Sequence, residues 1–232
     1  ISRLRMRPMS LFECSVASGE VSLAAVLAGE TVRAGDTGMT VAQLAREVAV
    51  GGWPGSRHMK TPAALRAARD YLDEVRRTDI GRVDNRRRDP EKVGRLLRSL
   101  ARNVSTYASA SSLRSDTGGA DGPIREDTVR EYLDALERLM VVEDLTAWAP
   151  HLRSKAVLRS QRKRLFADPS LAVAALRASP ESILRDLRLM GFLFESLVIR
   201  DLRVYAQHSD AEVLQYRDSN GLEVDAIVSC AD

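Results

Sequence analysis

The spacing of apolar positions predicts a mostly helical chain that ends in a β-hairpin. In several segments apolar residues recur every three or four positions, which is the repeat of an amphipathic helix. The longest of these patterns covers Leu193–Tyr205. Most of the segments begin at a recognisable N-terminal capping signal. The signals are Thr40 with Gln43, Thr61–Pro62, Asp89–Pro90, Asp168–Pro169 and Ser179–Pro180.

The predicted hairpin lies at the C-terminal end of the sequence. Glu212–Arg217 and Leu222–Ser229 read as strands, and they flank a four-residue segment that contains Asn220-Gly221. Asn followed by Gly is favoured in hairpin turns because both residues tolerate a positive φ. Side chains alternate between the faces of a strand, so Glu223 and Asp225 are expected to share one face. Met140–Trp148 and Arg164–Ala167 are shorter strand candidates.

Residues 90–150 follow the element order of a winged helix-turn-helix. The predicted helices are Pro90–Tyr107, Ser109–Ser115 and Arg125–Leu139, followed by a strand near Val141–Trp148. Asp79–Asp89 precedes them as a polar connector. In a winged helix-turn-helix the third helix lies in the major groove of DNA.

The charge of this third helix argues against that mode of DNA reading. Five acidic residues and one basic residue lie between positions 126 and 137, and phosphates would repel such a face. They are Glu126, Asp127, Glu131, Asp134, Glu137 and the basic Arg130. We therefore expect a winged helix in shape that acts as a scaffold or docks a protein. The candidate nucleic-acid contacts are Arg86, Arg87, Arg88 and Arg130, although an arginine run is also typical of a solvated linker.

Composition places the chain among ordinary globular proteins. It has 232 residues, of which 44% are hydrophobic, and its 35 basic and 32 acidic residues give a net charge of +3. No apolar run approaches the roughly 18 residues of a membrane span. Arginine greatly outnumbers lysine, which fits the codon bias of a GC-rich genome better than a nucleic-acid footprint. Cys14 and Cys230 share no metal-binding or disulfide spacing, so we expect a reducing, cytoplasmic location.

Two C-terminal segments carry a resemblance to a known family. "GFLFESLVIRDL" and "YRDSNGLEVDAIV" resemble the C-terminal domain of AAA-like ATP-binding proteins of bacteria and archaea that contain the DUF4143 region. The matching positions are Gly191, Glu195, Tyr216, Arg217, Gly221 and Glu223-Val224-Asp225. Earlier segments, including "RMRPMSLFE" and "VGGWPG", resemble the tail of the ATPase core and its lid. The resemblance spans essentially the whole chain.

This resemblance implies a mostly α fold with a small α/β part. It divides the chain into a helical lid remnant of the ATPase domain at 1–80, a winged-helix module at 85–150, and a truncated restriction-endonuclease-like domain at 155–232. In PD-(D/E)xK nucleases a helix acid and a strand acid converge on Mg²⁺, and the metal activates water. Glu195 and Asp225 match these acids.

The implied nuclease site is incomplete in this sequence. No Glu-x-Lys follows Asp225, so Glu195 and Asp225 are expected to be a partial or vestigial metal site. The alternative for Glu195 is a helix acid that caps or pairs with Arg217, and the alternative for Asp225 is a solvated strand residue.

The sequence also lacks the ATP-binding loop of the family. No GxxxxGK[ST] occurs, and the chain begins at Ile1 rather than at Met, so we expect a C-terminal portion of a longer ATPase or a truncated paralogue. ATP and Mg²⁺ are then cofactors of the full-length protein, with none for this chain alone. Arg57, after Gly51-Gly52-Trp53-Pro54, is the candidate contact to nucleotide phosphates, or simply a loop charge.

Two functions remain open at this point. The first is a regulatory or nucleic-acid-associated C-terminal region of an AAA-like ATP-binding protein, with catalysis dependent on missing segments. The second is a non-enzymatic module that docks a protein through the winged helix. A compact DNA-binding regulator that uses Arg86–Arg88 ranks third. The expected partners are the missing ATPase core, another protein or nucleic acid, and no membrane.

Overall fold

The computed structural model describes residues 5–119, 121–148, 162–218 and 220–230. Within them the fold is mostly helical, with one two-stranded antiparallel sheet. The helices are α1 (Leu23–Leu27), α2 (Val41–Val50), α3 (Thr61–Glu74), α4 (Ile80–Arg82), α5 (Pro90–Arg102), α6 (Ala110–Ser115), α7 (Glu126–Arg138), α8 (Pro169–Ala175), α9 (Pro180–Arg185) and α10 (Leu187–Ala206). The strands are β1 (Ala211–Arg217) and β2 (Glu223–Cys230). None of the described helices is long and apolar enough to cross a membrane.

The predicted capping signals begin the helices as expected, with one exception. Thr40 and Gln43 form both hydrogen bonds of a capping box at α2, and Ser179 does the same with Ser182 at α9. Asp89 and Asp168 accept hydrogen bonds from backbone N–H groups of the first turns of α5 and α8. At α3 the cap was placed one residue too late, because Lys60 precedes the helix and makes no side-chain bond there.

Two predicted helix boundaries were wrong. α5 ends at Arg102 rather than at Tyr107, because Ser105 adopts a φ of 57° and its N–H bonds the carbonyl of Arg164 at 2.8 Å. α10 begins at Leu187, before the predicted start, because the Asp186 side chain accepts the N–H of Leu189.

Two further expectations about local structure also need correction. The expected connector at 79–89 is helical as far as Arg82, since a π-helical turn at Val75–Asp79 joins α3 to α4. The strand candidates Met140–Trp148 and Arg164–Ala167 form isolated bridges rather than full strands.

One hydrophobic core contains side chains from each of the three parts of the chain that were predicted from the sequence, 1–80, 85–150 and 155–232. It extends from Ala45 in α2 through Leu96 in α5 and Leu136 in α7 to Leu197 in α10. A smaller cluster beside the hairpin contains Leu145, Leu165, Ile199, Ala206 and Val213. α10 contributes to both clusters, so this helix connects the helical body to the hairpin.

A buried arginine fixes the N-terminal segment against α8 and α10. Arg200 donates to Asp168 at 2.9 Å and to Asp201 at 2.6 and 2.8 Å. Asp168 also accepts the N–H of Gly52, and Asp201 accepts the N–H of Leu11. The fold tolerates this buried guanidinium because it is paired with two carboxylates and donates hydrogen bonds to both.

The hairpin contains one irregularity that matters for the site. β1 and β2 pair in register from Ala211 opposite Cys230 to Leu214 opposite Ile227, and the register then shifts before Tyr216. Gln215 of β1 lies opposite both Asp225 and Ala226, so the extra residue of this bulge belongs to β2. The backbone of Gln215 bonds Thr146 and Trp148. A bulge re-aims a strand. Beyond it, Glu223 pairs with Arg217 at the end of the sheet nearest the turn.

Candidate functional site

The candidate site is a cluster of charged side chains centred on Lys163. Reciprocal backbone hydrogen bonds of 2.9 and 3.0 Å hold Lys163 opposite Leu145. Its side chain is only 1% exposed. A lysine with this degree of burial is rare unless its ammonium is paired, so the residues around its Nζ atom define the site.

Three carboxylates surround this ammonium. The Nζ atom lies 2.7 Å from Glu195 Oε1, 2.9 Å from Glu223 Oε1 and 2.8 Å from Asp225 Oδ1. An ammonium has three N–H donors and no acceptor. Each donor therefore has one carboxylate, and the four side chains together carry a net charge of −2.

The three acids reach Lys163 from two elements. Glu195 lies in α10 between the buried Leu193 and Leu197, on the part of the helix that faces the hairpin. Glu223 and Asp225 are two positions apart in β2, so they share a face, as predicted. Lys163 thus ties α10 and β2 to the segment that pairs with Leu145.

Tyr107 closes one side of the cluster. Its hydroxyl lies 3.0 Å from Gln215 Oε1 and 3.1 Å from Glu223 Oε1. Two cations lie near its ring: Lys163 Nζ at 5.3 Å from the centroid and Arg217 Cζ at 4.8 Å. These distances are within the range of cation–π attraction. Arg217 thus contacts Tyr107, whereas the ion-pair partner of Glu195 is Lys163.

The electrostatics of the cluster favour a charged lysine. Burial alone lowers the pKa of Lys163, but hydrogen bonds to Asp225, Glu195 and Glu223 outweigh burial and raise it above its ordinary value. Burial raises the pKa of Glu195; Lys163 opposes this rise, and the other two acids add to it. Burial also raises the pKa of Tyr107, to about 12, so its hydroxyl remains protonated at neutral pH.

The cluster does not fit a Mg²⁺ ion in this arrangement. Glu195 and Asp225 converge on one point, as the resemblance implies for nuclease acids, but the Lys163 ammonium occupies that point. Among the residues that the structure describes, no group of three His, Cys, Asp or Glu side chains is placed to hold a metal ion. The arrangement as it stands places one ammonium, rather than a metal ion, at the centre of three carboxylates.

The other predicted site residues lie away from this cluster and are mostly paired with acids. Arg57 bonds the buried Glu47 at 2.6 Å. Arg88 binds Asp84 through two hydrogen bonds of 2.7 Å, which hold the pKa of Asp84 at about 2. The remaining pairs are Arg130 with Glu126 at 2.5 Å and Arg86 with Glu131 at 3.9 Å. The structure therefore neutralises most of the cations proposed for phosphate binding.

Sequence reasoning missed Lys163 at the centre of the site. The residue is one of only four lysines in a chain of 35 basic residues, and it precedes the short apolar run Leu165–Phe166. A lysine beside a strand-like run in such an arginine-rich chain is a weak sequence signal of a buried ammonium. Tyr107 and Gln215 gave no comparable signal.

Two family models match different parts of the chain, and each part contributes residues to the Lys163 cluster. A family model described as "Domain of unknown function (DUF8612)" matches residues 41–182, which is more than half of the chain. The chain belongs to the DUF8612 family. A second model, "Domain of unknown function (DUF4143)", matches residues 190–232 and confirms the resemblance for that part alone. Neither the comparison with curated proteins nor that with solved structures found a match.

The cluster joins these two matched regions. Lys163 and Tyr107 belong to the DUF8612 region, and Glu195, Glu223 and Asp225 belong to the part that matches DUF4143. The ion pairs of Lys163 are therefore contacts between the two.

Replacing the lysine should destabilise the fold much more than replacing one acid. Lys163→Met leaves three unpaired carboxylates facing one another, and we expect a loss of roughly 3 kcal/mol in the free energy of unfolding. Asp225→Asn removes one exposed partner and should cost less than about 1 kcal/mol. Urea unfolding followed by circular dichroism measures both. Equal losses for the two variants would contradict a lysine-centred cluster.

The cluster should also make stability sensitive to alkaline pH. Because the folded-state pKa of Lys163 is raised, its contribution is complete below the unfolded value of about 10.4 and disappears as pH rises through the higher folded value. Above pH 10.4, wild type should therefore lose stability more steeply than Lys163→Met. Urea unfolding of both proteins across about pH 9 to 12 tests this, and parallel curves would count against the charged cluster.

Proposed function

We propose that this chain is the C-terminal region of an AAA-like ATP-binding protein and acts as a nucleic-acid-associated regulatory module. ATP binding and hydrolysis belong, in this proposal, to the whole protein. The chain itself does not cleave phosphodiesters. Its winged-helix and nuclease-like parts serve as binding and coupling elements.

The Lys163 cluster is the observation that carries this proposal. The match of residues 190–232 to DUF4143 supports the family context. Glu195 and Asp225 share one partner, which supports a nuclease-like ancestry for the acids. The same partner is a buried ammonium rather than an open metal position, which supports a non-cleaving module.

The charge of α7 supports a second candidate, a protein-docking module. Four of its acidic side chains are exposed and project from one helix, and only Arg130 among its exposed outer residues is basic before the C-terminal Arg138. They are Asp127, Glu131, Asp134 and Glu137. Such a face repels nucleic acid and attracts a basic protein surface.

A binding and cleavage assay distinguishes these candidates. The chain is mixed with labelled single-stranded and duplex DNA at low salt, with EDTA, Mg²⁺ or Mn²⁺, and both binding and product length are measured. We expect binding that persists in EDTA and full-length DNA under all conditions. Binding should weaken steeply with added salt, because phosphate contacts release counterions.

Two outcomes would contradict the proposal. Cleavage that depends on the metal and is lost in Asp225→Asn would show an active nuclease. No binding to either DNA at low salt would exclude nucleic-acid association and favour protein docking through α7. Asp121→Asn is a matched control, since it removes one exposed carboxylate that lies outside both the Lys163 cluster and α7.

A further inference from the structure

A second charged surface lies away from the lysine cluster, in a groove between α3, α5 and the end of α8. The groove has a volume of about 170 Å³, and its apolar floor includes Leu72, Leu97 and Ala174. Four arginines and two acids line it: Arg69, Arg76, Arg98, Arg177, Asp73 and Glu91. Four guanidiniums against two carboxylates leave an excess of two positive charges.

Both acids of the groove form ion pairs with the same arginine, Arg76. Arg76 bonds Asp73 at 2.7 Å and Glu91 at 3.1 Å. No carboxylate of the described residues forms an ion pair with Arg69, Arg98 or Arg177. Arg98 and Arg177 are exposed, so their guanidiniums are accessible to a ligand in solution.

The basic surface continues along α5. Arg98 and Arg102 are both exposed and stand four residues apart, which places them on one face of the helix. α5 contains a single acid, Glu91, beside four basic residues. α5 therefore presents a row of guanidiniums, whereas α7 presents a row of carboxylates.

Guanidinium forks suit phosphate oxygens because they donate paired hydrogen bonds. We propose that this groove binds the phosphodiester backbone of a nucleic acid through Arg98 and Arg177, with Arg69 and Arg102 extending the contact. The inference rests on the proposed association with nucleic acid and names its surface. It places the contact on α5 and the end of α8, in a groove whose lining includes neither Arg86–Arg88 nor any residue of α7.

A nucleic acid fits this surface better than a lipid membrane does. Membrane-binding surfaces combine basic residues with exposed large apolar side chains that enter the lipid. None of the exposed large hydrophobic residues in the described part of the chain lines the groove. A linear polyanion needs only the row of cations.

The test compares two charge-matched double variants. Arg98→Gln/Arg177→Gln removes two guanidiniums from the groove, and Arg86→Gln/Arg87→Gln removes two from the exposed connector. Fluorescence anisotropy with labelled single-stranded and duplex DNA gives the affinity of each protein over a range of salt concentrations. Anionic lipid vesicles serve as a third ligand, and circular dichroism checks folding.

The groove variant should bind DNA roughly tenfold or more weakly than wild type, with a salt slope shallower by about one for each arginine removed. Arg98→Lys/Arg177→Lys keeps the charge and should recover part of the affinity. The connector variant should bind like wild type. Comparison of the two DNA probes shows which form the groove prefers.

Three results would overturn the inference. If the groove variant binds DNA as wild type does, the groove is not the binding surface, although the proposed function stands. If wild type binds neither DNA, the proposed function fails together with the groove. If wild type binds vesicles but not DNA and the groove variant loses that binding, the ligand is a membrane surface.

Discussion

One buried ammonium determines the arrangement of the C-terminal part of this chain. Lys163 is almost fully buried, and each of its three donors has a carboxylate at 2.7–2.9 Å. Two of these carboxylates lie in β2 and one lies in α10. Without the lysine their mutual repulsion would favour separation of α10 and β2. The charge therefore acts together with the backbone bonds of Gln215 and the apolar cluster beside the hairpin to position β1 and β2. The same charge occupies the point on which the two nuclease-like acids converge.

A second buried cation, Arg200, also connects parts of the chain that are distant in sequence. Arg200 holds Asp168 and Asp201, and through them the N-terminal segment and the turn at Gly52. Lys163 connects the DUF8612 region to the part that matches DUF4143, and Arg200 connects that same part back to Asp168 in the DUF8612 region. Arg98 and Arg177 of the α3–α5 groove are exposed and form no ion pair with a described carboxylate, so they are accessible to an anionic partner.

Local sequence signals predicted much of the secondary structure and little of the site. Capping residues such as Thr40 and Ser179 act on the next few residues, so the helix starts follow from short patterns. The pairing of Lys163 with Asp225 joins positions 62 residues apart, and no local pattern specifies it. The early end of α5 also depends on a distant partner, Arg164. By contrast, the ion pair of Arg88 with Asp84 joins residues only four positions apart, yet it was not predicted from the sequence.

We infer that the Lys163 ammonium, placed where the three carboxylates converge, closes this cluster to divalent metal. Titration of the wild-type chain with Mn²⁺, followed by water-proton relaxation, measures this directly. We expect no saturable binding to wild type, saturable binding to Lys163→Met, and loss of that binding in the double variant Lys163→Met/Asp225→Asn. One Mn²⁺ bound per wild-type chain and lost in Asp225→Asn would contradict it.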